Sequence, residues 1–292
     1  MDDRTPVSQE MIDLYDEYTH LTLDRRRFIE RLSALVGGTA AAYAVIPLLE
    51  ADKAAAQMIA PGDAGLATGT VTFPGAGAGM AGYLAWPKDA PGKLPAVIVI
   101  HENRGLNPHI QDVTRRMALE GFLALAPDFL APAGGTPSDE DEARRMIGAL
   151  DPAATLAHAV ATRSWLAAHE RSTGKTGVIG FCWGGGLVNR LATADPALGA
   201  AVAYYGRVPD AADVAGIKAK MLLHYAGLDQ RINAGIPAYK AALEAAGVTH
   251  AIHVYDGVNH AFNNDTSAAR YDKAAADLAW RRTVAFLEDA LA

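Results

Sequence analysis

Gly180-Phe181-Cys182-Trp183-Gly184 sets the chain's one cysteine between glycines, where an apolar run passes into a glycine-rich helix start. Sulfur in that setting points to covalent catalysis. A tight strand-to-helix turn lifts a nucleophile above the sheet edge, and glycines flank it because a Cβ would strike the neighbouring strand or helix. The following helix aims free amides and its positive dipole end at the sulfur, which favours a thiolate and any oxyanion formed beside it. Such a nucleophile needs a base and an acid that orients the base, in the chain order nucleophile, acid, histidine. Asp229, in Ala226-Gly227-Leu228-Asp229, and His260, in Asn259-His260-Ala261-Phe262, follow in that order. His260 then takes the thiol proton and later returns it to the leaving group, while Asp229 holds the ring's tautomer. Two other readings compete: a small buried cysteine in a turn, and a low-pKa thiol sensor without turnover. Neither has a use for an acid-oriented histidine.

These residues require a scaffold that brings three strand ends to one rim. From residue 69 onward, short apolar runs alternate with helical patterns, the form of an α/β domain whose mostly parallel sheet carries helices on both faces. Strands are predicted over 70–73, 80–86, 96–100, 122–126, 176–181, 200–205, 220–225 and 251–255, the first two as an antiparallel pair. Helices are predicted over 110–120, 139–147, 152–169, 187–194, 236–246 and 271–291, with Gly121, Gly174 and Gly247 as left-handed ends. Asp229 and His260 then follow consecutive strands at their carboxyl ends, where open α/β sheets bind ligands. Asp256 reads as a turn residue and Asp128 as a brace for loops.

The chain's 292 residues, half of them hydrophobic, suffice for a full core, and one large domain over 61–292 is expected. A net charge of −7 argues against nucleic acid as a partner, and one cysteine excludes an intrachain disulfide. No H-E-x-x-H pattern, Cys/His cluster, phosphate loop or dinucleotide fingerprint is present, so neither metal nor cofactor is expected. A small-molecule substrate and a monomer or homodimer are expected.

Residues 1–60 have another texture. Arg25-Arg26-Arg27-Phe28, an Ala/Gly-rich apolar run over 32–49 and small residues at 54–56 resemble a twin-arginine export signal cut near Ala56, which implies a periplasmic protein. The run is broken by Gly37, Gly38 and Pro47, which argues against a stable membrane span. The alternative is a retained N-terminal helix on a cytoplasmic protein.

Taken in order, His101-Glu102-Asn103-Arg104-Gly105-Leu106, Ala126-Pro127-Asp128, Gly180 to Gly185, Tyr204-Tyr205-Gly206, His224 to Asp229 and His260-Ala261-Phe262 resemble the dienelactone hydrolase family, the cysteine branch of the α/β-hydrolase fold. The resemblance covers roughly residues 69–292 and implies hydrolysis of small esters or lactones through an acyl-thioester. It implies that Glu102 contacts the cysteine at rest and helps activate the thiol. The plainer reading of Glu102 is a strand-end carboxylate paired with Arg104. It further implies an oxyanion hole of the Asn103 and Trp183 backbone amides. Typical members hold a substrate carboxylate with two arginines, one shortly after the catalytic histidine; here Asn263 and Asn264 occupy that stretch and the nearest arginine is Arg270. The dienelactone itself is therefore open, with a broader carboxylesterase or thioesterase as the alternative. Arg104 and Arg144 are candidate anion-binding residues, although a solvated helix face also explains Arg144. Trp183, Tyr205 and Phe262 are expected to line an apolar acyl pocket, with a place in the core as the equal alternative for aromatics at these positions.

Overall fold

The computed structural model describes residues 7–20, 22–50 and 58–292. Three helices come first: α1 (Gln9–Thr19), α2 (Arg25–Val36) and α3 (Thr39–Leu49). Ser8 caps α1 by accepting from the Met11 amide, Asp24 caps α2 from the Arg27 amide, and Gly37 ends α2 at φ +83°. The 32–49 run is therefore split, with α2 and α3 bent by 107° across the glycine pair, and among the described residues no single helix is long and apolar enough to cross a membrane. Tyr15, Tyr18, Phe28, Leu32, Val45 and Leu49 fill a core between these helices, with Ala269 of the body packed against it and Tyr18 and Phe28 stacked at 4.6 Å between ring centroids. The arginines of the export-like motif face outward: Arg25 pairs with Asp141, Arg26 with Glu30 and Arg27 with Asp24. The expected cleavage point at 54–56 lies outside the described residues.

The body follows as β1 (Leu66–Pro74), β2 (Gly79–Pro87), β3 (Leu94–Ile100), α4 (Pro108–Leu119), β4 (Leu123–Asp128), α5 (Glu140–Gly148), α6 (Pro152–Ala167), β5 (Ser172–Phe181) and α7 (Trp183–Ala194). Then come β6 (Ala200–Tyr204), β7 (Lys220–Ala226), α8 (Gln230–Asn233), α9 (Ile236–Ala245), β8 (His250–Tyr255) and α10 (Lys273–Leu291). One sheet has the order β1-β2-β4-β3-β5-β6-β7-β8, antiparallel at β1–β2 and β2–β4 and parallel elsewhere. This is the mixed sheet with helices on both faces that the alternating pattern predicts.

Period-two alternation assigns each strand residue to a layer. On β3, Val97 and Val99 pack toward α4 and α10, whereas Ala96, Ile98 and Ile100 pack toward α6, α7 and α9. None of the five exceeds 1% exposure, and each branched side chain contributes roughly 1.5–3 kcal/mol by leaving water. Both layers are apolar because a parallel central strand has no wet face. Gly121 and Gly247 adopt positive φ at helix ends as expected. Gly174 also has positive φ, but it sits inside β5, beside the irregularity in the β3–β5 register. Asp128 braces its loop, accepting from the Leu130 and Thr136 amides and the Thr136 hydroxyl.

Candidate active site

Cys182 links β5 to α7 with φ 55° and ψ −114°, a strained conformation for a residue with a Cβ. Two hydrogen bonds hold it there. Its amide donates to the Tyr204 carbonyl at 3.0 Å, and its carbonyl accepts from the Gly186 amide at 3.1 Å. The flanking glycines are obligatory: a Cβ on Gly180 would lie 2.5 Å from the Gly184 carbonyl oxygen, and one on Gly184 would lie 2.4 Å from that of His101.

Asp229 lies just past the end of β7, where it caps α8 by accepting from the Ile232 amide. Its Oδ2 also accepts from His260 Nδ1 at 2.5 Å, both side chains being almost fully buried. Burial opposes the carboxylate's charge, but the hydrogen bond and charge of His260, with Arg231 behind, hold Asp229 below its ordinary pKa. A carboxylate at Nδ1 leaves Nε2 of His260 to do chemistry, and that atom is buried without a hydrogen-bond partner. The ring stands 4.8 Å from that of Tyr205.

A second histidine reaches the sulfur from the N-terminal helices. His20, at the end of α1, places Nε2 3.3 Å from Cys182 Sγ. Its Nδ1 lies 2.7 Å from the Asp16 carbonyl oxygen and 3.3 Å from Asp16 Oδ2. The His20 and His260 rings meet edge to face at 4.7 Å. Burial works against a charge on His20, but Cys182 and Asp16 outweigh it and raise the ring to about 9. For Asp16, burial is likewise outweighed, by His260, His20 and Arg270, and the carboxyl sits well below its ordinary range.

The other predicted residues separate on inspection. Glu102 is buried and accepts from Asn264 Nδ2 at 2.8 Å, beside the gap that Cys182, His20 and His260 also line. The alternative reading of Glu102, a pair with Arg104, is not made, because Arg104 pairs with Glu140 and donates to the Tyr15 hydroxyl at 2.5 Å. The guanidinium of Arg104 is thus committed to the fold. Asn103 and Trp183 border the main cleft, and Asn103 Nδ2 donates to the Thr19 carbonyl at 2.6 Å. Tyr205 lines that cleft, with φ +39° and a buried hydroxyl lacking a partner. Arg144 also lines it, although its guanidinium lies 4.0 Å from the Tyr18 ring centroid and pairs with Asp141. Phe262 needs correction: the ring is wholly buried among Tyr204, Tyr205 and Tyr255, so it supports the site from beneath instead of lining it.

The cleft has a volume of about 490 Å³ and passes from Cys182 and Trp183 to a rim with Arg207 and Arg231. Neither rim arginine stood out in the sequence, since single surface cations are common in loops. His20 and Asp16 were hidden for another reason, the export-signal reading of residues 1–60. The signal that reveals them is the burial periodicity of Met11, Leu14, Tyr15 and Tyr18, which marks a docked amphipathic helix. One ring nitrogen from each of His20 and His260 and the Cys182 sulfur lie within 4.8 Å of one another, a cluster of potential ligand atoms. Expectation of no metal came from local spacing, which cannot register donors this far apart in the chain.

Comparison with known proteins identifies the family and fold. The model of the dienelactone hydrolase family matches residues 80–291, and a separate one, described as YqhI-like, matches residues 3–37. A provisionally named carboxymethylenebutenolidase of Escherichia coli O157:H7 is 33% identical, covering 80% of this chain and 90% of its own. One of the same provisional name from Methylorubrum extorquens, also 33% identical, covers 92% of this chain and 94% of its own, a span that reaches into the residues before β1. A crystal structure provisionally named a dienelactone hydrolase, from Klebsiella pneumoniae, superposes with a TM-score of 0.70 at 32% identity, covering 76% of this chain and 98% of its own. With its strained strand-to-helix turn at Cys182, mixed sheet and these matches over most of its length, the chain belongs to the dienelactone hydrolase family of α/β-hydrolase-fold enzymes.

Proposed function

We propose that this hydrolase cleaves small esters or lactones through an acyl-thioester on Cys182, with His260 as acid–base and Asp229 as its orienting carboxylate. The observation that carries the reading is the Asp229–His260 bond of 2.5 Å, which leaves a buried, unpartnered Nε2 beside a cysteine held at a strained elbow. The α7 N-terminus favours negative charge at the sulfur, and the Trp183 and Asn103 amides are assigned the oxyanion. Glu102, steadied by Asn264, adds a carboxylate at the same gap.

Arg144, Arg207 and Arg231 around the cleft favour an ester that carries an anionic group, without the paired arginines of typical members. A free carboxylate on the ester is expected to raise kcat/KM, which separates this reading from a broader carboxylesterase. The docking of α1–α3 supports the retained form of the N-terminal segment over a cleaved export signal, and intact mass of the native protein tests it. The central test is p-nitrophenyl acetate with mass analysis of the wild type and Cys182→Ala. An acyl adduct and turnover, both lost in the variant, support the reading. Peroxide oxidation of Cys182 with no acylation by any ester in a panel would leave the thiol-sensor reading in its place.

A further inference from the structure

Two Asp–His pairs converge on one sulfur: Asp229–His260 from the body and Asp16–His20 from α1. Only the second touches it. The Asp16 carbonyl oxygen can only accept, so His20 Nδ1 carries the hydrogen, and Nε2 is the nitrogen that faces Sγ at 3.3 Å. The contact that the family resemblance assigns to Glu102 is thus occupied by an imidazole, while Glu102 is engaged by Asn264. His20 lies outside residues 80–291, the span that matches the dienelactone hydrolase family, and inside the separate match to residues 3–37.

We propose that His20 is the acid–base partner of Cys182 during acylation, and that His260 serves deacylation. The proposal rests on the hydrolase reading above. In the first half-reaction the Sγ–H proton passes to His20 Nε2, and the thiolate forms a C–S bond to the ester carbonyl carbon. The oxyanion collapses, the C–O bond breaks, and the departing alkoxide takes the proton from His20. In the second, His260 Nε2 removes a proton from water, and the hydroxide forms a C–O bond to the thioester carbon. The C–S bond then breaks, and the thiolate recovers the proton from His260. The sum is ester plus water to acid plus alcohol, and both rings end in the protonation state in which they began. Asp16 is a positioning residue.

The site's charges are arranged for such an exchange. Asp16 lies on the same helix, and Arg231 from α8 and Arg270 from the loop after β8 lie 3.6 and 3.8 Å from its carboxylate. Cys182, His260, Glu102, Arg104 and Arg144 border the openings next to His20.

The test reads the thiol directly, through the pH profile of Cys182 alkylation by iodoacetamide on the full chain. His20→Gln is expected to slow alkylation at neutral pH by about 10²-fold and move the profile upward, and Asp16→Asn to move it in the same direction by less. His260→Gln should leave the profile in place, and mass spectrometry should show its acyl-enzyme accumulating with p-nitrophenyl acetate. Hydrogen exchange in α1 establishes that each variant still docks; if His20→Gln undocks, the docked Asp16→Asn carries the decision. A profile that moves with His260→Gln and stays fixed with the docked N-terminal variants overturns the proposal. Alkylation needs no turnover, so a wild type that never acylates sinks the hydrolase reading while the assignment of His20 is still decided.

Discussion

The sheet-based body and the N-terminal helices are held together in opposite ways. The body is continuous apolar packing through two layers, with central strands dry on both faces. The helices α1–α3 have an apolar core of their own, but their seam with the body is largely polar. Tyr18 donates to Asp141, Arg104 to Tyr15, Gln9 to Asn259 and Asn103 to Thr19, while Arg144 and Arg270 lie over the Tyr18 and Tyr15 rings. Polar seams of this kind exchange water for protein partners at little net cost, whereas a split sheet would expose its core. The difference predicts that the covering helices part from the cleft at lower cost than the body unfolds.

Four experiments test that contrast. Asp229→Asn keeps the α8 cap, because asparagine caps as well as aspartate, yet leaves His260 with the wrong tautomer. Ester turnover is expected to fall by about 10³- to 10⁴-fold with little change in Tm, as measured by kinetics beside thermal melts. Ile98→Ala, in the dry centre of β3, is expected to cost about 2–5 kcal/mol of global stability in urea titration. A loss confined to a local region would contradict the single core assigned to the body.

Phe28→Ala removes the ring stacked on Tyr18 and is expected to weaken α1–α3 by about 3 kcal/mol, read as faster hydrogen exchange over residues 9–49 alone. Equal acceleration in β3 and β5 would show that the two regions open as one. The smallest effect is that of pH. His20 is raised from 6.5 to about 9, so its contribution to docking is complete below 6.5 and fades as pH climbs through 9. Asp229 is depressed, so its contribution is present above 3.8 and is lost on acidification below that value. Exchange in α1 should therefore quicken between pH 7 and 10 while that of β3, corrected for intrinsic rate, stays level.

Much of the body was legible because its signals are local. The Val97–Ile100 run, Asn107-Pro108 before α4 and Asp151-Pro152 before α6 mark their elements within a few residues. The elbow around Cys182 was legible for the same reason, its glycines being demanded by contacts within one turn. Phe262 was misplaced because an aromatic beside the histidine looks the same in sequence whether it lines a pocket or underlies one.

By itself, the sequence determined the alternation of strands and helices, the elbow, and the order Cys182, Asp229, His260, since periodicity and turn chemistry act over a few residues. Only the tertiary structure decided what stands over the sulfur. His20 and Cys182 are 162 residues apart, and no spacing rule spans that distance. Their meeting depends on where an amphipathic helix comes to rest, and that is settled by the joint packing of the Tyr15–Tyr18–Phe28 cluster and the polar seam beneath it.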